Sequence, residues 1–136
     1  MHLVTALGSV VLIGVLAGCG ELFDDTASAT WVVSPNQDLG SDTSTFAVLV
    51  TRVGCNGGLT GEVTPPDLSL DETQVVLTFR VRPDEPESAT CPGNDAVPYE
   101  VALGEPLGDR KLVDGFCLLA HGSLPDCEPD AVRYRP

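Results

Sequence analysis

The chain has 136 residues, and its 20 acidic side chains outnumber 7 basic ones, for a formal net charge of −13. That balance excludes nucleic acid as a partner, because the phosphate backbone would be repelled. It also opposes docking on anionic lipid head groups, so any membrane attachment has to be covalent.

Residues 3–18 carry no charge and read as the apolar region of a signal peptide, shorter than the roughly 20 residues that span a bilayer core. The run ends in Leu16-Ala17-Gly18-Cys19. This motif resembles the cleavage site of bacterial lipoproteins, in which a Leu and two small residues precede a Cys. The resemblance implies a diacylglyceryl thioether on Cys19, removal of residues 1–18 as a signal helix, and an extracytoplasmic protein held to the cell membrane through Cys19. The basic residues that precede the apolar run in that family are replaced here by Met1 and His2. Either the α-amino group supplies the positive charge or the start codon lies upstream.

The remaining 118 residues, 19–136, suit one domain and hold every charged side chain. Five cysteines is an odd count. With Cys19 lipidated, Cys55, Cys91, Cys117 and Cys127 remain as an even set, which outside the cytoplasm forms two disulfides. Of the three pairings, Cys55–Cys91 with Cys117–Cys127 is favoured. The second closes a short loop through Gly122 and Pro125, and the first staples two Gly-containing turns. No C-x-x-C pair is present to mark a zinc site.

Residues 19–29 are small, polar and acidic and predict a flexible tether; residues 30–136 form the domain. Thr30 to Ser34 predicts a first strand containing Trp31, the sole Trp. Thr45 to Val53 predicts the strongest strand, with Phe46, Val48 and Val50 on one face and Ala47, Leu49 and Val53 on the other. Gly61 to Thr64 predicts a brief strand ended by Pro65-Pro66. Gln74 to Arg82 alternates cleanly, with Val75, Leu77, Phe79 and Val81 inward, and predicts a half-buried antiparallel strand. A long acidic loop containing Cys91 leads to a strand at Tyr99 to Leu103. Lys111 to Val113 and Phe116 to Leu119 flank Asp114-Gly115, a two-residue turn signal that predicts a hairpin. Val132 to Arg135 predicts the last strand.

No stretch of helical length after Cys19 shows a 3.6-residue apolar period. With 14 Gly and 11 Pro, the pattern predicts an all-β fold: a small disulfide-stapled antiparallel β-sandwich, immunoglobulin-like in outline. A true immunoglobulin core is disfavoured, because Trp31 precedes all four paired cysteines.

Four segments carry a second resemblance: Gly54 to Gly58 (GCNGG), Cys91 to Asn94 (CPGN), Tyr99 to Arg110, and Val113-Asp114-Gly115. Together they look like a group of small uncharacterised lipoproteins from high-GC Gram-positive bacteria. The resemblance supports the compartment and implies no activity.

Candidate chemistry is sparse. His121, Ser123 and Asp126 are triad residue types, but Ser123 lacks the G-x-S-x-G elbow and all three sit in one short loop. Cys55 is followed by Asn56 without a cysteine-peptidase signature. Asp84, Glu85 and Glu87, or Asn36, Asp38 and Asp42, offer oxygens to Ca²⁺, though neither set has EF-hand spacing. The loop Gly104 to Arg110 (GEPLGDR) is the most distinctive; Glu105, Asp109 and Arg110 are its candidate recognition contacts, against a reading in which Arg110 merely pairs a neighbouring carboxylate. The expectation is therefore a cell-envelope lipoprotein presenting a non-enzymatic β-domain for binding or structural contact with an envelope protein or ligand, with no cofactor and no metal. The alternatives are an exported hydrolase acting on envelope polymers and a Ca²⁺-dependent adhesion module.

Overall fold

The structure is a computed structural model and describes residues 25–82, 84, 90–120 and 122–136. The expected signal segment, with Leu16, Ala17, Gly18 and Cys19, lies outside the described residues, as do Glu85, Glu87 and His121.

The chain folds into strands β1 (Ala27–Val33), β2 (Thr45–Arg52), β3 (Glu62–Val63), β4 (Asp67–Leu70), β5 (Gln74–Arg82), β6 (Val97–Ala102) and β7 (Lys111–Asp114), then helix α1 (Gly115–Leu119) and strand β8 (Val132–Tyr134). They form one open sheet in the order β6-β2-β1-β5-β7-β8, with β3 and β4 on the other edge of β5. The all-β class and both expected disulfides are present: Cys55–Cys91 and Cys117–Cys127.

β5 is the hinge of this sheet. Its first half pairs with β7, up to Leu77↔Asp114, and its second half pairs with β1, from Ala29↔Phe79 to Ala27↔Val81. Beyond those registers β1 and β7 diverge, splitting the sheet into two halves. Their inner faces meet around one apolar cluster: Trp31, Phe46, Val48 and Val50 from one side, Leu112 from the other, and Val75, Leu77, Phe79 and Val81 from the shared strand. Edge-to-face contacts of Phe79 with Trp31 and Tyr99, at centroid distances of 6.3 and 5.3 Å, fix the aromatic centre.

The fork between β1 and β7 would strand backbone polar groups, and two side chains occupy it. The Trp31 indole N–H donates to the Leu77 carbonyl at 3.0 Å, and the Trp31 backbone N–H donates to Asp114 Oδ2 at 3.1 Å. Buried backbone groups of this kind need a partner somewhere, and the fork supplies them from side chains.

Four sequence expectations are corrected. First, β1 begins at Ala27, within the span assigned to the tether, because Ala27, Ser28 and Ala29 pair with β5 and bury Ala29. Second, β5 and β7 run parallel, so the sheet is mixed rather than wholly antiparallel. Third, β4 was not foreseen. All four of its residues are exposed, so no buried face imposes an apolar pattern on them. Fourth, Asp114-Gly115 turns no hairpin. Asp114 has φ −81° and caps α1, its Oδ1 accepting the N–H groups of Phe116 at 3.0 Å and Cys117 at 3.3 Å. Gly115 is required by space rather than by backbone angle: a Cβ there would lie 1.9 Å from Thr78 Oγ1 on β5.

Candidate functional site

The outer face of β1 and β2 forms the floor of a cleft of about 850 Å³. Strand alternation sends Trp31, Val48 and Val50 to the core and leaves Thr30, Val32, Leu49 and Thr51 on this outer face, where Val32 is 47% exposed. Thr30 and Thr51 stand opposite each other in register, as do Val32 and Leu49.

The Cys55–Cys91 bridge with the residues flanking it, and the loop closed by Cys117–Cys127, make the walls. On one side lie Gly54, Cys55, Cys91, Pro92, Gly93 and Asn94; on the other lie Leu124, Pro125 and Asp126, just before Cys127. The Asn94 side-chain amide donates to the carbonyls of Arg52 at 3.0 Å and Gly54 at 2.7 Å, clamping the first wall to the end of β2. Arg133 clamps the second. Its Nη2 reaches Asp114 Oδ2 at 2.9 Å, Cys117 Sγ at 3.2 Å and the Asp126 carbonyl at 2.9 Å. The Arg133–Asp114 pair is deeply buried, its side chains 7% and 0% exposed. Beneath it Val113, Cys117, Cys127 and Ala131 form a second apolar cluster with Val76 and Leu124. Sheet, helix, disulfide and loop are thus one packed unit on that side.

The Gly104 to Arg110 loop adopts a structural arrangement. Leu107 is fully buried in the main cluster, and its backbone N–H donates to Thr43 O at 2.7 Å. Arg110 folds back over the loop, donating to Glu105 Oε1 at 2.7 Å, Leu107 O at 2.9 Å and Pro106 O at 2.6 Å. Glu105, Asp109 and Arg110 line a shallow depression beside Asp71 and Glu72, away from the cleft. Of the other candidates, Ser123 Oγ donates to Ala120 O at 2.7 Å, closing a local turn. Asn56 is buried and donates to the Leu59 and Asp84 carbonyls, with Gly57 and Gly58 at positive φ. Asn36, Asp38 and Asp42 are exposed. Among the described residues no cluster of three or more metal-ligating side chains forms, and no helix is long and apolar enough to cross a membrane.

Sequence reasoning missed the residues that shape the cleft, namely Arg52, Asn94, Asp114 and Arg133. Each comes from a different segment, and only the paired cysteines flanking Asn94 and Asp126 marked the walls. Fold and site together define an all-β, two-disulfide domain with a cleft bordered by both disulfides. No known protein family, curated protein or solved structure matches the chain.

Proposed function

We infer that this chain is a lipid-anchored cell-envelope protein displaying a non-enzymatic β-domain for binding, and that the cleft over β1 and β2 is its contact surface. The observation that carries the reading is the construction of that cleft: a partly apolar floor between two walls, one beside the Cys55–Cys91 bridge and one inside the loop closed by Cys117–Cys127, each clamped to the sheet by a side chain. Covalent and hydrogen-bonded walls lower the ordering cost of binding, which raises the affinity available from a modest surface. The anchor reading is supported by Leu16-Ala17-Gly18-Cys19 at the end of the apolar run. It is supported also by the two disulfides, which persist in oxidising compartments.

Growth in labelled palmitate tests the anchor. Label is expected on the wild-type chain and is expected to vanish in Cys19→Ala; label that survives the substitution overturns it. A photocrosslinking residue at Val32 tests the contact surface in intact cells. It is expected to give an adduct that the same residue at Asp109, in the shallow depression, does not; equal adducts overturn the assignment of the cleft.

A further inference from the structure

Three ionisable side chains line the cleft: Arg52, Asp126 and Arg133. The two cations do not serve it. The register Ala29↔Arg52 sends the Arg52 side chain to the core face with Ala29 and Trp31, opposite the floor of Val32 and Leu49. The Arg133 side chain is buried, and its Nη2 is engaged by Asp114, Cys117 Sγ and the Asp126 carbonyl. Asp126 differs from both. It is exposed, it holds the wall through its backbone carbonyl, and none of the four ion pairs among the described residues includes its carboxylate. The charge that the cleft offers to solvent is therefore one carboxylate, on a chain whose net charge is −13.

The floor is aliphatic and hydroxylic. Exposed Val32 stands opposite Leu49, and two residues along each strand Thr30 stands opposite Thr51. An aliphatic floor beside a single carboxylate suits a long side chain with an apolar stem and a cationic tip, which is the build of lysine and arginine. The anionic surroundings favour the approach of such a group and repel an acidic one. They also oppose a second copy of this chain, since two domains of net charge −13 repel each other. An exposed ion pair contributes little by itself, so Asp126 alone does not hold a small free amine. A cleft of about 850 Å³ has room for a segment of several residues, and further contacts with the floor and the Thr51 hydroxyl supply the rest.

We propose that the cleft docks a basic segment of a partner protein, the aliphatic stem of a lysine or arginine lying across Val32 and Leu49 and its cation paired with Asp126. The proposal rests on the reading of this cleft as the contact surface and names the chemistry of the partner. Most of the affinity comes from the apolar floor, and the carboxylate selects the sign of the charge.

The experiment is an NMR titration of the full-length lipoprotein in non-ionic detergent, following the backbone amides of Val32, Leu49 and Asp126. The probe is acetyl-Val-Lys-Leu-amide, compared with the same peptide carrying norleucine or glutamate in place of lysine, and with pentylamine. The lysine peptide is expected to saturate the shifts, with the norleucine peptide about fivefold weaker and the glutamate peptide weaker still. Added salt is expected to weaken the lysine peptide and leave the norleucine peptide unchanged. Asp126→Asn is expected to bring the lysine peptide to the affinity of the norleucine peptide, and Asp109→Asn, away from the cleft, to change nothing. If Asp126→Asn fails to fold, the comparison of lysine with norleucine on the wild-type chain decides alone. Equal binding of the lysine and norleucine peptides overturns the basic segment, and pentylamine binding as tightly as the lysine peptide overturns the protein segment in favour of a free amine. No cleft shift from any probe, with the Val32 crosslink still formed, overturns the basic segment and keeps the contact surface; loss of both overturns both.

Discussion

At the residue scale, the Asp114 side chain joins β1, β8 and the start of α1. One oxygen caps α1, the other receives the Trp31 backbone N–H and the Arg133 guanidinium, and its own N–H donates to Ala131 O at 2.8 Å. It therefore closes the fork in the sheet, starts the helix and anchors a wall of the cleft at once. Removing one member of a buried ion pair leaves the other uncompensated, which costs more than the pair itself contributes. Asp114→Ala is expected to lower unfolding stability by about 3–5 kcal/mol, measured by urea titration at neutral pH. The double variant Asp114→Ala/Arg133→Met is expected to cost less than the sum of the single changes, because the orphaned guanidinium is gone. Strict additivity would show that the two side chains act separately. The sequence marked Asp114-Gly115 as special but for the wrong reason. An Asp before a Gly signals a turn and a helix cap alike, and what separates them is Gly115 lying against Thr78, a contact between segments far apart in the chain.

At the scale of elements, legibility follows burial. β2 and β5 were readable because alternate residues face the core, so Phe46, Val48, Val50 and then Val75, Leu77, Phe79, Val81 recur with period two. β4 was unreadable because it buries no face. It is held instead by its ladder to β5 and by Asp71 in the connecting turn. Asp71 Oδ1 accepts the backbone N–H groups of Thr73 at 2.7 Å and Gln74 at 2.9 Å, and these bonds hold its carboxyl below the usual aspartate range. A carboxyl whose folded value is depressed stabilises the fold above the unfolded value, and that contribution disappears as pH falls through the folded value. Asp71→Asn keeps the turn chemistry and removes the charge. The melting-temperature gap between wild type and Asp71→Asn is thus expected to be present at neutral pH and to close as pH falls below the ordinary aspartate range. A gap independent of pH across that window would show that the turn and not the carboxylate carries the effect. The cleft was the least legible feature, since Arg52, Asn94 and Arg133 meet only after β1, β2 and two loops have folded.

At the scale of the whole molecule, the two disulfides hold the cleft's walls under different conditions, and two physical rankings of them disagree. By loop entropy, Cys55–Cys91, separated by 36 residues, is worth roughly 4 kcal/mol and Cys117–Cys127, separated by 10, roughly 3. By access the order reverses. Cys55 and Cys91 are exposed, whereas Cys117, a buried residue of α1, and Cys127 are packed with Val113 and Ala131. Reduction of a folded protein proceeds by attack of a thiolate on sulfur, so access governs which bond opens first, and loop entropy enters only once the chain unfolds. Under graded reductant well below the melting temperature, differential alkylation with peptide mass spectrometry is expected to tag Cys55 and Cys91 first. Cys117 and Cys127 are expected to react only as the domain unfolds, because freeing them means lifting α1 off β5, where Gly115 sits against Thr78. Simultaneous labelling of all four would mean that the walls open as one cooperative unit with the sheet. The expected order instead makes the Cys55–Cys91 wall, which carries Asn94 and borders Arg52, the one whose closure depends most directly on an oxidising surrounding. The same compartment that the apolar leader and Cys19 imply would then be the one in which the cleft keeps its shape.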